Sequence, residues 1–191
     1  MREYSTLTHA ALAPGCRIAQ PSPPGRVNLD DPAFAVMTDL AAVSAATTHA
    51  DEFADKAHAQ MIQRGVRLLF VLDRESRVVG VLTATDLLGE KPMRFVQSHG
   101  IARHEIRVGD LMTPAASLEA VSLQEVSQMR VGHVVATLKA VGRQHLLVAE
   151  DDGRRVRGIF SASQVARQLG VQLQTHEVAS TFADIEAALV R

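Results

Sequence analysis

Along most of the chain, apolar residues fall into short blocks with two alternating spacings. Residues 51–64 place Phe53, Ala57, Met61 and Ile62 on one stripe, the signature of a helix face. Thr48 or Asp51 stands where such a helix would be capped, and Gly65 stands where a left-handed stop belongs. Leu68 to Leu72 is then apolar without a break. A polar turn, Asp73-Arg74-Glu75-Ser76, leads to a second run, Val78 to Leu82. Two such runs predict neighbouring strands in a sheet covered on both faces. A further helix is expected from Thr83–Asp86.

The same order returns later in the chain. Helix spacing runs from His133 to Val141 and stops at Gly142. Strands are expected at Leu146–Ala149 and Val156–Phe160 around Asp151-Asp152-Gly153, with a helix from Ser163. Three blocks recur: Val36-Met37-Thr38 as Leu111-Met112-Thr113, Gly65 to Asp73 as Gly142 to Glu150, and Gly80 to Asp86 as Gly158 to Gln164. Their offsets are 75, 77 and 78 residues. Order and spacing kept together imply a duplicated unit, and two copies are too few for a solenoid. Ser122-Leu123-Gln124-Glu125 is a capping-box pattern and predicts a short extra helix ending before Gly132.

The ends differ from this frame. Five of the seven prolines lie between Pro14 and Pro32, so residues 1–33 read as an extended arm whose Ile18, Val27 and Leu29 are apolar enough to dock, on a partner subunit in this reading. Units at 34–90 and 106–170 are then joined by a linker, 91–105. A tail, 171–191, follows, with Val178, Phe182, Ile185 and Leu189 on one helical face. The expected fold class is mixed α and β: two tandem β-α-β-β-α units related by a pseudo-two-fold axis, plus the arm and the tail helix.

Composition narrows the function. Hydrophobic residues are 47% of the 191 and aromatics 4%, so the core is aliphatic. A net charge of −1 argues against nucleic-acid binding through bulk charge. The single cysteine, Cys16, cannot form an internal disulfide. No apolar run approaches the ~18 residues of a membrane span, and no signal peptide is visible. A cytoplasmic protein is the expectation.

The two units, each led by hydrophobic-Met-Thr and closed by Gly-hydrophobic-hydrophobic-Thr/Ser-x-x-Asp, resemble the CBS domain pair, named for cystathionine β-synthase. The resemblance spans roughly residues 34–170. The stretch Leu88 to Met93 and the tail are similar to a group of stand-alone bacterial CBS proteins. The second unit departs from the pattern at Gln164, where the family has Asp. The resemblance implies two clefts between units that bind AMP, ADP, ATP or S-adenosylmethionine. The first would use Gly80, Thr83, Thr85 and Asp86 of unit one, with Gln144, His145, Met112 and Thr113 of unit two. The second, weaker cleft would use Arg67, Leu68, Ser161, Ser163 and Gln164.

The residues themselves fit that chemistry. A strand giving way to a helix at Thr83–Asp86 offers free N–H groups and hydroxyls to phosphate, and a carboxylate to ribose hydroxyls. The same residues are also an ordinary helix cap. Met37 and Met112 serve equally as core fillers or cleft lining. Arg154, Arg155 and Arg157 read as a solvated hairpin flank or as an RNA contact. The histidines, His99 and His104 included, form no metal-ligand pattern, and no catalytic motif or Walker loop occurs. The sequence therefore points to a non-enzymatic regulatory sensor with no required cofactor or metal, homodimeric and signalling to an effector protein. The rivals are a ligand-free interaction scaffold and an RNA-contacting module.

Overall fold

The computed structural model describes residues 9–18 and 25–171. The tail helix expected through Phe182 and Ile185 lies outside the described residues. In chain order the regular elements are β1 (Thr38–Asp39), β2 (Thr47–His49), α1 (Ala54–Arg64), β3 (Leu68–Leu72), β4 (Val78–Thr83), α2 (Ala84–Leu88), α3 (Lys91–His99), α4 (Val108–Leu111), β5 (Thr113–Pro114), β6 (Ala120–Ser122), α5 (Leu123–Val126), α6 (Val131–Val141), β7 (His145–Glu150), β8 (Arg155–Ser161) and α7 (Ala162–Gln168). The mixed α and β class and the duplicated order are those expected from the sequence.

Local chemistry explains most boundaries. Helices α1 and α6 both end on a glycine in the left-handed region, Gly65 at φ 65° and Gly142 at φ 62°. Helix α1 starts later than expected, with Phe53 rather than Thr48 or Asp51 at its N-cap, and Thr48 is buried in β2 instead. Ala57 and Met61 face the core, but Ile62 is 70% exposed and does not belong to the buried stripe. Ser122 accepts a hydrogen bond from the Glu125 N–H and starts the short α5, as its pattern predicted. The segment between the units carries its own helix, α3, with a proline in its first turn, where the missing N–H costs nothing.

The strands form two four-stranded sheets, in the orders β2-β3-β4-β5 and β1-β8-β7-β6. Each sheet takes its outer antiparallel strand from the leader of the other unit. Thr38 and Asp39 pair with Ile159 and Gly158; Thr113 and Pro114 pair with Val81 and Gly80. The crossing continues upstream. Ala33 and Val36 are buried with α6 and α7 of the second unit, while Ile106, Val108 and Leu111 are buried with α1 and α2 of the first. Backbone bonds repeat the relation: Ala33 N donates to Met129 O, and Ala54 N donates to Ile106 O. The sheets meet face to face through Leu68, Phe70 and Val81 on one side and Leu147 on the other.

The described stretch of the arm from residue 25 to 33 packs on its own chain. Val27 and Leu29 pack against the second core, and Val27 N donates to Gln168 O. Ile18, expected to dock with them, is 86% exposed.

Close approach of the crossing leaders fixes two glycines. A Cβ on Gly80 would lie 2.6 Å from the Thr113 carbonyl oxygen, and one on Gly158 would lie 2.7 Å from Met37 Sδ and 3.0 Å from the Thr38 oxygen. Gly80→Ala is therefore expected to destabilise by about 2 kcal/mol, because the clashing atom is backbone and cannot rotate away. Gly25, with nothing within 4 Å of its would-be Cβ, is the control. Urea denaturation of both variants checks this, with Gly25→Ala expected to stay within about 0.5 kcal/mol of wild type.

Candidate functional site

The sequence-derived residues gather where β3 and β7 begin and β4 and β8 end. Leu68 pairs with Thr83 across the first sheet, and His145 pairs with Ser161 across the second. Just outside those pairs, Ala84 N donates to Arg67 O and Ala162 N donates to Gln144 O, so Arg67 and Gln144 occupy equivalent places. Gly80 and Thr113 meet as backbone neighbours, with Met112 against Gly80, which gives all three a packing role. Thr85 is exposed on the first turn of α2.

Asp86 anchors the first half of the site. It sits in a reciprocal capping box: its Oδ2 accepts from Thr83 N at 2.8 Å and from Thr83 Oγ1 at 2.6 Å, and its own N–H donates to Thr83 Oγ1 at 3.3 Å. Its second oxygen, Oδ1, accepts from Lys91 Nζ, which also donates to the Leu111 carbonyl at 3.2 Å. The carboxylate expected to face ribose is thus engaged with the chain's own donors on both oxygens. Sequence reading passed over Lys91. The signal was its position five residues after Asp86, one helix later.

The second half is neutral throughout. Gln164 Oε1 accepts from Thr38 Oγ1 at 3.0 Å, and Ser161 and Ser163 share a hydrogen bond of 3.1 Å. Here the crossing leader supplies the partner, where the first half uses Lys91.

Arg67, expected in the second cleft, therefore stands beside the Thr83–Asp86 turn, and Gln144, expected in the first, beside Ser161; His145 of the other unit is near enough to feel both Arg67 and Asp86. Arg67 Nε is buried without a hydrogen-bond partner, in a population where buried donors are almost always paired. Burial is the main reason that the His145 imidazolium is pushed down to about 4. The Arg67 charge adds to this, and Asp86 acts the other way. His145 is therefore neutral at pH 7, and Arg67, His145 and Asp86 are close enough to act on each other's charge.

A broad cavity lies elsewhere. A groove of about 1470 Å³ opens between the two β-hairpins, floored by Phe70, Leu72, Leu147 and Val156 and edged by Arg77 and Arg154. None of the sequence-derived ligand residues lines it. Of the three arginines weighed as an RNA contact, Arg157 is held by Asp39 and Glu150, and Arg155 by Glu150 and Asp151. Arg155 and Arg157 thus form an ion-pair network across the hairpin and the crossing leader. Among the described residues, no group of three or more His, Cys, Asp or Glu is placed to hold a metal ion, and no helix is long and apolar enough to cross a membrane.

This architecture, two swapped-leader units facing each other through their sheets, is the fold of a CBS-domain pair. Residues 33–92 match the family model of the CBS domain. Solved structures share the fold. An uncharacterized conserved protein from Pyrococcus horikoshii matches at 21% identity and a TM-score of 0.56, over 78% of this chain and all of that one. A CBS-domain containing protein from Agrobacterium tumefaciens matches at 19% identity and 0.52, over 68% and 88%. CBSX2 of Arabidopsis thaliana, solved in complex with AMP, matches at 23% identity and 0.50, over 72% and 94%. No curated protein matches the sequence.

The depressed His145 pKa sets an acid limit. A base that is harder to protonate when folded contributes nothing above the unfolded value of 6.5; as pH falls below it, the unfolded chain takes up the proton first and stability is lost down to about pH 4. The loss is on the order of 3 kcal/mol when complete. His145→Gln is expected to flatten the stability–pH curve over that window, measured as denaturation midpoints from pH 7 to pH 4. Parallel curves for the two proteins would refute the assignment.

Proposed function

We propose that this chain is a regulatory module that binds an adenine nucleotide where its two units meet. Phosphate would be held by Arg67 beside His145, with the ribose toward Thr83 and Asp86. The carrying observation is the buried Arg67 Nε with no partner. A buried guanidinium nitrogen without an acceptor is costly, and a phosphate oxygen is the acceptor it fits best. The first turn of α2 beside it carries Asp86, whose charge is answered by Lys91. CBSX2, which shares the fold, is in complex with AMP. The candidates are AMP, ADP, ATP and S-adenosylmethionine. Output would pass to an effector protein from a homodimer, through a ligand-dependent shift between arrangements of the two units.

One group of observations favours the rival reading of a ligand-free scaffold. Thr83, Asp86 and Lys91 satisfy one another, as do Thr38 with Gln164 and Ser161 with Ser163. The two readings separate at Arg67. If it serves a ligand, Arg67→Leu removes an unpaired donor and leaves the unliganded protein as stable or more so, while abolishing the response to nucleotide. In a thermal-shift series, a nucleotide at 100-fold excess over Kd is expected to raise the wild-type Tm by roughly 5–10 °C and that of Arg67→Leu by less than a degree. A wild type that ignores all four candidates at millimolar concentration supports the scaffold instead.

A further inference from the structure

Lys91 sets the charge balance of the first half of this site. The groups there are Arg67 and Lys91, both cationic, Asp86, anionic, and His145, neutral at pH 7. Asp86 has 10% of its side chain exposed, and Lys91 closes on it from a half-exposed position. The carboxylate is thereby neutralised, and Arg67 remains as an uncompensated charge. The equivalent groups of the second half are Gln144 for Arg67, Gln164 for Asp86 and Leu169 for Lys91, none of them charged.

We infer that Lys91 is a specificity-determining residue that makes the first half of the site select anionic adenosine ligands, the phosphorylated nucleosides, over the cationic sulfonium of S-adenosylmethionine. The inference rests on the nucleotide-binding reading given above. With Lys91 in place, a sulfonium meets a carboxylate already paired and a free guanidinium that repels it. A phosphate meets that guanidinium and no uncompensated anion. Without Lys91, the bare Asp86 carboxylate attracts the sulfonium and repels phosphate. Lys91 acts through Asp86 and by its own field. Its second bond, to the Leu111 carbonyl, fixes the ammonium in place by tying it to the end of α4.

The test is a pair of calorimetric titrations, AMP and S-adenosylmethionine, on the full chain and on three variants. Lys91→Gln is expected to lower the preference for AMP over S-adenosylmethionine by about tenfold or more, the effect of one unit charge a few ångströms away in a partly buried site. Lys91→Arg is expected to keep the wild-type preference. Asp86→Asn leaves Lys91 unpaired and is expected to move the preference the other way, which keeps the test decisive if Lys91→Gln does not fold. A preference unchanged in both Lys91→Gln and Asp86→Asn, while wild type binds AMP, overturns the role of Lys91 alone. Absence of binding of either ligand to wild type overturns the site reading and this inference with it.

Discussion

Each unit borrows an edge strand and a few core residues from the leader of the other, and the borrowed strand passes within contact distance of a glycine. Thr113 runs over Gly80, and Met37 with Thr38 runs over Gly158. A side chain at Gly80 would strike backbone, and one at Gly158 would have to push Met37 aside. The crossing completes both sheets and closes both helical cores: Val36 fills one, and Val108 and Leu111 fill the other. Neither unit has a finished core without the chain segment that leads into its sibling. Each core therefore depends on contacts far apart in sequence, whose loop-closure cost is offset only when the crossing segments are buried.

The same crossing builds the site. The sheets face each other through Leu68, Phe70, Val81 and Leu147, which brings the start of β3 against the start of β7. Arg67 and His145 thus become neighbours although 78 residues separate them. Duplication makes the two halves geometrically alike, and substitution has made them electrically different. One half holds a carboxylate answered by Lys91. The other holds an amide answered by Thr38. On the proposed reading, a symmetric frame with unlike charges would let the module respond to one ligand charge and not another.

Much of this was legible in the sequence. Glycines at repeated offsets, apolar runs of strand length and the stop signals at Gly65 and Gly142 are local features whose physics does not depend on the rest of the chain. The crossing was not legible, because a two-residue strand such as Thr113–Pro114 carries no pattern that says which sheet it joins. Ile62 misled for a related reason: helical spacing identifies a stripe, but only packing decides how wide it is. Thr83 and Asp86 were found through their motif. Their engagement with Lys91 was not, since an ion pair between a helix's first turn and the next helix depends on how the two helices turn relative to each other. The orphaned Arg67 Nε is a property of burial and has no sequence signal at all.

The central claim is that the functional site lies at the strand starts where the units meet, and not in the groove between the hairpins. Hydrogen–deuterium exchange of the full chain with and without saturating AMP tests it most directly. The account expects added protection at residues 67–69, 83–87 and 144–146, with the hairpin residues 73–77 and 150–155 unchanged. Protection confined to the hairpins and to residues 118–124 would place the ligand in the groove and contradict the account.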